Sequence, residues 1–130
     1  MNKIKWMVCF SLLLLSGICR ADGLSPVAQQ EITHLFSYLG SSGCQFNRNG
    51  SWYDAGEAVD HINSKYQYLI GKDQISSAED FIAKAASQSS MSGKPYLVRC
   101  KDAAPIESAG WFQDELVKYR QSILKITSKH

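Results

Sequence analysis

The sequence predicts an α+β domain of about four helices packed on a small antiparallel sheet of about three short strands. Three observations point there. Four stretches carry apolar residues at helical spacing. An Asn-Gly pair between aromatic residues marks a tight hairpin, and one more β-rich run follows later. The strands are too few and too close in sequence for the alternating strand–helix order of a doubly wound fold.

The first helix is announced by Ser25-Pro26, a capping side chain followed by proline in the first turn. Ala28, Ile32, Leu35, Phe36 and Leu39 form its apolar face, and Gly40 and Gly43 are expected to end it. His34 lies off that face and is read as solvated. Phe46 and Trp52 then flank Asn49-Gly50, residues that tolerate the left-handed dihedrals of a two-residue turn. Asp54 with Glu57 resembles a capping box and opens a second helix, with Ala58, Ile62, Tyr66 and Leu69 on its apolar face and Gly71 closing it. Ser76 or Ser77 caps a third helix whose buried stripe is Ala78, Phe81, Ile82 and Ala85. A serine-rich loop, Ser87 to Lys94, leads through Pro95 into a strand over Tyr96–Cys100; proline is tolerated at a strand start. After Pro105 a last helix carries Ala109, Phe112, Leu116, Tyr119 and Ile123 on one face, and Thr127 to His130 is expected to fray. Trp111 falls out of register with that face and is the best candidate for an exposed aromatic.

Residues 1–21 read as a signal peptide. Lys3 and Lys5 precede an apolar run from Trp6 to Ile18, and Cys19-Arg20-Ala21 supplies small residues at the two positions a signal peptidase reads. Cleavage near Ala21 leaves residues 22–130 as one domain in the periplasm or outside the cell. A retained anchor and a lipoprotein modified at Cys19 are the alternatives. The run is shorter than the roughly 20 apolar residues of a comfortable span, and Ile18 is a poor neighbour for lipoprotein processing. No membrane span remains after cleavage.

Cys9 and Cys19 leave with the signal, and Cys44 and Cys100 remain. An even pair in an oxidising compartment reads as a disulfide, and closing that loop stabilises a fold by about 4 kcal/mol in the chain-entropy model. A free thiol pair and a disulfide-linked dimer stay open, as does the oligomeric state. No Cys-x-x-Cys motif supports a redox role, and the histidines lack zinc-finger spacing to the cysteines. No metal or cofactor is expected. Of the 14 basic residues, Lys3, Lys5 and Arg20 lie in the signal, leaving 11 against 12 acidic ones. That balance gives no support to a nucleic-acid partner.

Four motifs carry a resemblance. They are Phe46-x-Arg48-Asn49-Gly50-x-x-Tyr53; Glu57-Ala58-x-x-His61-x-x-x-Lys65-Tyr66; Ile75-x-Ser77-Ala78-Glu79-x-Phe81-Ile82; and Ser89-Ser90-x-Ser92-Gly93-Lys94-Pro95-Tyr96. In order and spacing, over roughly Leu24 to Leu124, the chain resembles the YfeK-like family of small secreted bacterial proteins (domain of unknown function 5329). The resemblance implies a periplasmic protein of one domain. It implies no reaction, and it does not require the cysteine pair.

Three groups of polar residues are candidates for function. Glu57, His61 and Lys65 recur every four residues and so line one stripe of the second helix. That pattern suits an acid–base set or half a metal site. It suits better a solvated stripe of ion pairs, each contributing about 0.3–0.5 kcal/mol. Ser92-Gly93-Lys94 lacks the strand-before, helix-after context of a phosphate loop. A nucleophile pair of Lys94 with Ser90 or Ser92 would need a desolvated lysine, whereas this loop reads as exposed, its serines serving backbone groups. Arg48 is not needed by the Asn49-Gly50 turn; it is free to meet an anionic ligand or to pair with Glu57, and the sequence does not separate the two.

The favoured functional reading is a binding or interaction module without catalytic activity. The hairpin tip (Arg48, Asn49, Gly50) and the Ser89–Lys94 loop, with His61, Ser92, Gly93 and Lys94 as further candidates, form its surface for an anionic partner. That partner is an envelope protein or a cell-wall fragment. Competing readings are a small periplasmic hydrolase using His61 with Glu57 or Ser92 with Lys94, an inhibitor of a cell-wall hydrolase, and a purely structural envelope protein.

Overall fold

The computed structural model describes residues 23–129. The proposed signal peptide, Cys9, Cys19 and His130 lie outside them. In chain order the elements are α1 (Pro26–Ser41), β1 (Gln45–Arg48), β2 (Ser51–Tyr53), α2 (Ala55–Gly71), α3 (Ala78–Ala85), β3 (Leu97–Arg99), β4 (Ile106–Glu107) and α4 (Ser108–Thr127). The fold is α+β, with four helices and four antiparallel strands in the order β2-β1-β3-β4. The strand beyond the expected three is β4, two residues that pair Ile106 with Val98 and Glu107 with Leu97.

Local chemistry sets the helix starts. Ser25 accepts a hydrogen bond from the Ala28 amide, Asp54 from Glu57, and Ser77 from Asp80, so each of these caps satisfies one of the donors a helix N-terminus leaves unpaired. Gly40 stays within α1, and the chain turns only at Gly43, whose φ is +68°. The core gathers Ile32, Leu35 and Leu39 from α1, Phe46 and Val98 from the sheet, Phe81 and Ile82 from α3, and Phe112 and Leu116 from α4.

Three expectations are corrected. Trp111 is buried at 8% exposure: it stacks on Tyr38 with centroids 4.5 Å apart and meets Phe46 and Phe112 edge-on. Helix α4 touches the sheet and helices α1 and α3 at once, so its apolar arc is wider than the single stripe of Phe112 and Leu116. His34 is half-buried, bonded to Glu115 at 2.6 Å and stacked on Tyr119. Ile123, expected on the buried face, is 41% exposed, because residues 121–127 run past the core.

Cys44 and Cys100 form a disulfide. It joins the entry of β1 to the exit of β3, neighbours in the sheet. No helix of the described residues is long and apolar enough to cross a membrane.

Candidate functional site

The β1–β2 turn is the two-residue Asn49-Gly50 loop, with Arg48 opposite Ser51. Both turn residues take positive φ, +52° and +88°, the geometry whose twist matches that of the flanking strands. The Gly50 amide donates to Asn47 Oδ1 at 3.1 Å. Strand alternation then puts Phe46 and Arg48 on the same face. Phe46 is buried in the core, and Arg48 reaches outward from it toward α2.

There a cleft of about 360 Å³ opens between the hairpin and α2. Phe46, Arg48 and Tyr53 line it from the hairpin; Glu57, Asp60, His61 and Ile62 line it from α2; Tyr96 closes it from beside β3. Arg48 is held from two sides. Its guanidinium lies 5.5 Å from the Tyr53 ring centroid, and Nη1 donates to the His61 ring, lying against Nδ1 and 2.9 Å from Nε2. His61 Nε2 is also 3.2 Å from the Tyr96 hydroxyl. Lys65, one turn further along α2, donates to the Gln88 carbonyl at 2.5 Å and approaches the Tyr96 hydroxyl at 3.5 Å.

These contacts fix the charge of the cleft. A ring nitrogen that accepts from arginine cannot carry a proton, so the geometry calls for neutral imidazole. Burial lowers the His61 pKa, and the positive charges of Arg48 and Lys65 lower it further. Burial also lowers the pKa of Lys65 and raises that of the Tyr96 phenol. Arg48 and Lys65 form no salt bridge among the described residues, although Glu57 and Asp60 line the same cleft as Arg48. The choice that the sequence left open, Arg48 with Glu57 or with a ligand, is thereby narrowed: the partner of Arg48 within the chain is His61. The expected stripe of ion pairs along α2 is absent among the described residues. His61 and Lys65 turn instead to residues of the sheet and its flanking loop.

The serine-rich loop meets the hairpin at its tip. Ser92 Oγ donates to Asn49 Oδ1 at 2.5 Å, and Asn49 Nδ2 donates to Ser89 Oγ at 3.2 Å. Ser89 is 4% exposed, and its hydroxyl also accepts from the Met91 and Ser92 amides. Gly93, at φ +72°, closes the loop by donating to the Ser89 carbonyl at 2.9 Å. Lys94 is exposed, and its bond to Ser92 runs through its backbone amide at 3.2 Å. The structure thus joins Asn49 to Ser92 and Arg48 to His61, on the two sides of the turn. Tyr53 and Tyr96 are not among the site residues expected from the sequence. The signal that could have drawn them in is positional: Tyr53 pairs with Phe46 across the hairpin, and Tyr96 directly precedes β3.

No group of three or more His, Cys, Asp or Glu side chains that could hold a metal ion occurs among the described residues. The fold and cleft define a class: a disulfide-bonded α+β protein with a small, cation-bearing cleft between a hairpin and a helix. Residues 26–120 match the family described as a family of unknown function, DUF5329. The chain is 44% identical over 94 residues to the uncharacterized protein YfeK of Salmonella typhimurium strain LT2, covering 72% of this chain and 77% of that protein. The chain belongs to the DUF5329 family. No solved structure matches it.

Proposed function

We propose that this protein is a binding module of the bacterial envelope, without catalytic activity, that recognises an anionic partner at the hairpin. It is exported by a signal peptide cleaved near Ala21 and works in the periplasm or outside the cell as one domain. The observation that carries the reading is Arg48: a half-buried guanidinium at the cleft, held by Tyr53 and a histidine rather than by a carboxylate. A charge kept partly desolvated and without a counter-ion is costly unless an anion arrives to meet it. The Ser89–Lys94 loop, fastened to Asn49, adds the exposed Lys94 to the same end of the molecule.

Catalysis has weaker support. His61 spends an acceptor nitrogen on Arg48, which leaves it poorly placed as a general base, and Glu57 forms no hydrogen bond to it. Ser92 donates to Asn49, and Lys94 is exposed rather than desolvated, which is the wrong environment for a Ser–Lys pair.

Affinity capture from periplasmic extract and from solubilised cell-wall fragments tests the reading, with wild type, Arg48→Ala, Lys94→Ala and the double variant compared at equal folded fraction. Material captured by wild type and lost with Arg48→Ala supports it. Capture that is indifferent to both substitutions overturns it.

A further inference from the structure

The cleft's own charge pattern narrows the partner further. We propose that it binds a zwitterionic, amino-acid-like group: a carboxylate on Arg48 and Tyr96, both positioned by His61, an ammonium facing Glu57 and Asp60, and an apolar or aromatic body along Phe46, Tyr53 and Ile62. The inference rests on the reading that Arg48 meets an anion, and adds what else the anion must carry.

Three observations support it. The first is a convergence of donors. A guanidinium presents five N–H groups in a planar fork, and here Nη1 is the one used on His61, so the remaining edge is suited to a carboxylate. With Nδ1 accepting from Arg48, the other imidazole nitrogen, Nε2, carries hydrogen and donates to the Tyr96 oxygen 3.2 Å away, which leaves the phenol's own O–H to donate to the same anion. The second is the acid at the other end. Glu57 precedes His61 by four residues, about 6 Å of helix rise, and Asp60 lies on the same cleft. Both are exposed, and neither forms a salt bridge among the described residues. A dianion such as phosphate would meet two carboxylates at that mouth. A zwitterion turns both ends to advantage, since its two charged groups, each with one hydrogen bond, span a distance of this order. The third is size. A volume of about 360 Å³, walled by Phe46, Tyr53 and Ile62, lies at the small end of ligand clefts and suits one residue or two rather than a long chain.

The test is a titration followed by ¹H–¹⁵N NMR. It uses the full chain, expressed with its own N-terminal segment and purified with the disulfide formed. The probes are L-phenylalanine, N-acetyl-L-phenylalanine (carboxylate only), L-phenylalaninamide (ammonium only) and inorganic phosphate. Phenylalanine is expected to shift the amides of Arg48, His61 and Tyr96 saturably, and the amide to bind about tenfold more weakly for loss of the charge-assisted pair. Glu57→Gln should weaken phenylalanine severalfold and leave the N-acetyl compound unchanged. Arg48→Gln should weaken both, with the thermal midpoint confirming the fold. Phosphate as the tightest probe, N-acetyl-phenylalanine equal to phenylalanine, or no saturable shift at about 20 mM, a Kd too weak for a built site, each overturns the inference. Arg48-dependent capture of an envelope component without phenylalanine binding also overturns it, while leaving the broader reading standing.

Discussion

Arg120→Met should destabilise the protein by about 2–3 kcal/mol, a value that follows from how unequally its two partners are buried. Arg120 joins three helices. Nε and Nη2 donate to the two oxygens of Glu31 on α1 at 2.7 and 2.9 Å, and Nη1 and Nη2 donate to the two oxygens of Glu79 on α3 at 3.0 and 2.9 Å. Side-chain exposure is 9% for Glu31, 41% for Arg120 and 60% for Glu79. Removing one partner of a fully buried pair costs about 3–5 kcal/mol, because the other charge is stranded. Water reaches the Arg120 side of this pair, which brings the Glu31 share to about 2 kcal/mol; the exposed Glu79 pair adds at most about 1. Methionine keeps much of the aliphatic stem, so packing contributes little to the loss. For a domain of about 100 residues the thermal midpoint should fall by about 10–20 °C. The double variant Arg120→Met/Glu31→Leu should recover to within about 1 kcal/mol of wild type, since replacing both partners by apolar groups removes the stranded charge. Urea unfolding followed by circular dichroism measures all three proteins. A single variant within about 0.5 kcal/mol of wild type, or a double variant no better than the single, would refute the reasoning.

Two further predictions concern the sheet and the cleft. Replacing both Cys44 and Cys100 by alanine releases a loop closed across 56 residues and should lower unfolding free energy by about 4 kcal/mol, read from the urea midpoint; a loss below about 1 would mean that the bond does not constrain the unfolded chain. Because the folded His61 pKa lies below its ordinary 6.5, the unfolded chain takes up a proton first as pH falls, so wild type should lose stability below about pH 6.5 toward its folded pKa. His61→Asn should flatten that part of the profile, and parallel profiles for the two proteins would show that His61 is not desolvated as described.

What was legible in the sequence was what neighbouring residues decide. Ser25-Pro26, Asp54 and Ser77 fixed helix starts because a cap acts within three residues, and Asn49-Gly50 fixed the hairpin because the turn's dihedrals select its residues. The pairing of Cys44 with Cys100 was one expectation for the two cysteines outside the proposed signal, with a free thiol pair and a linked dimer left open, and the structure bonds them. What stayed hidden depended on partners far along the chain. Strand β4 has two residues and exists through its bonds to β3. His34 is held by Glu115, 81 residues away, and Glu31 by Arg120 at 89. Trp111 was misread because a single stripe cannot describe a helix packed on both a sheet and helices. The cleft mixed both cases. Arg48 and His61 were singled out by type and position, but their contact joins a strand to a helix across 13 residues, and no local pattern encodes that.

The placement of Arg48 bears on how such a cleft would work. It ends β1, a central strand paired with β2 on one side and β3 on the other. One end of the β1–β3 pair is joined covalently through Cys44 and Cys100. At the opposite end Asn49 is tied to Ser89 and Ser92, in the loop that feeds β3. A strand fastened at both ends has little freedom to shift its last side chain, and the Tyr53 and His61 contacts remove much of the rotamer freedom that an arginine otherwise loses on binding. Ordering an interfacial side chain costs about 0.5–1.5 kcal/mol, and here much of that ordering is in place before any ligand arrives. The fold therefore presents its cation preorganised. The disulfide, whose Cys44 directly precedes the strand that Arg48 ends and whose Cys100 directly follows the strand that Tyr96 precedes, contributes to that by holding β1 in register.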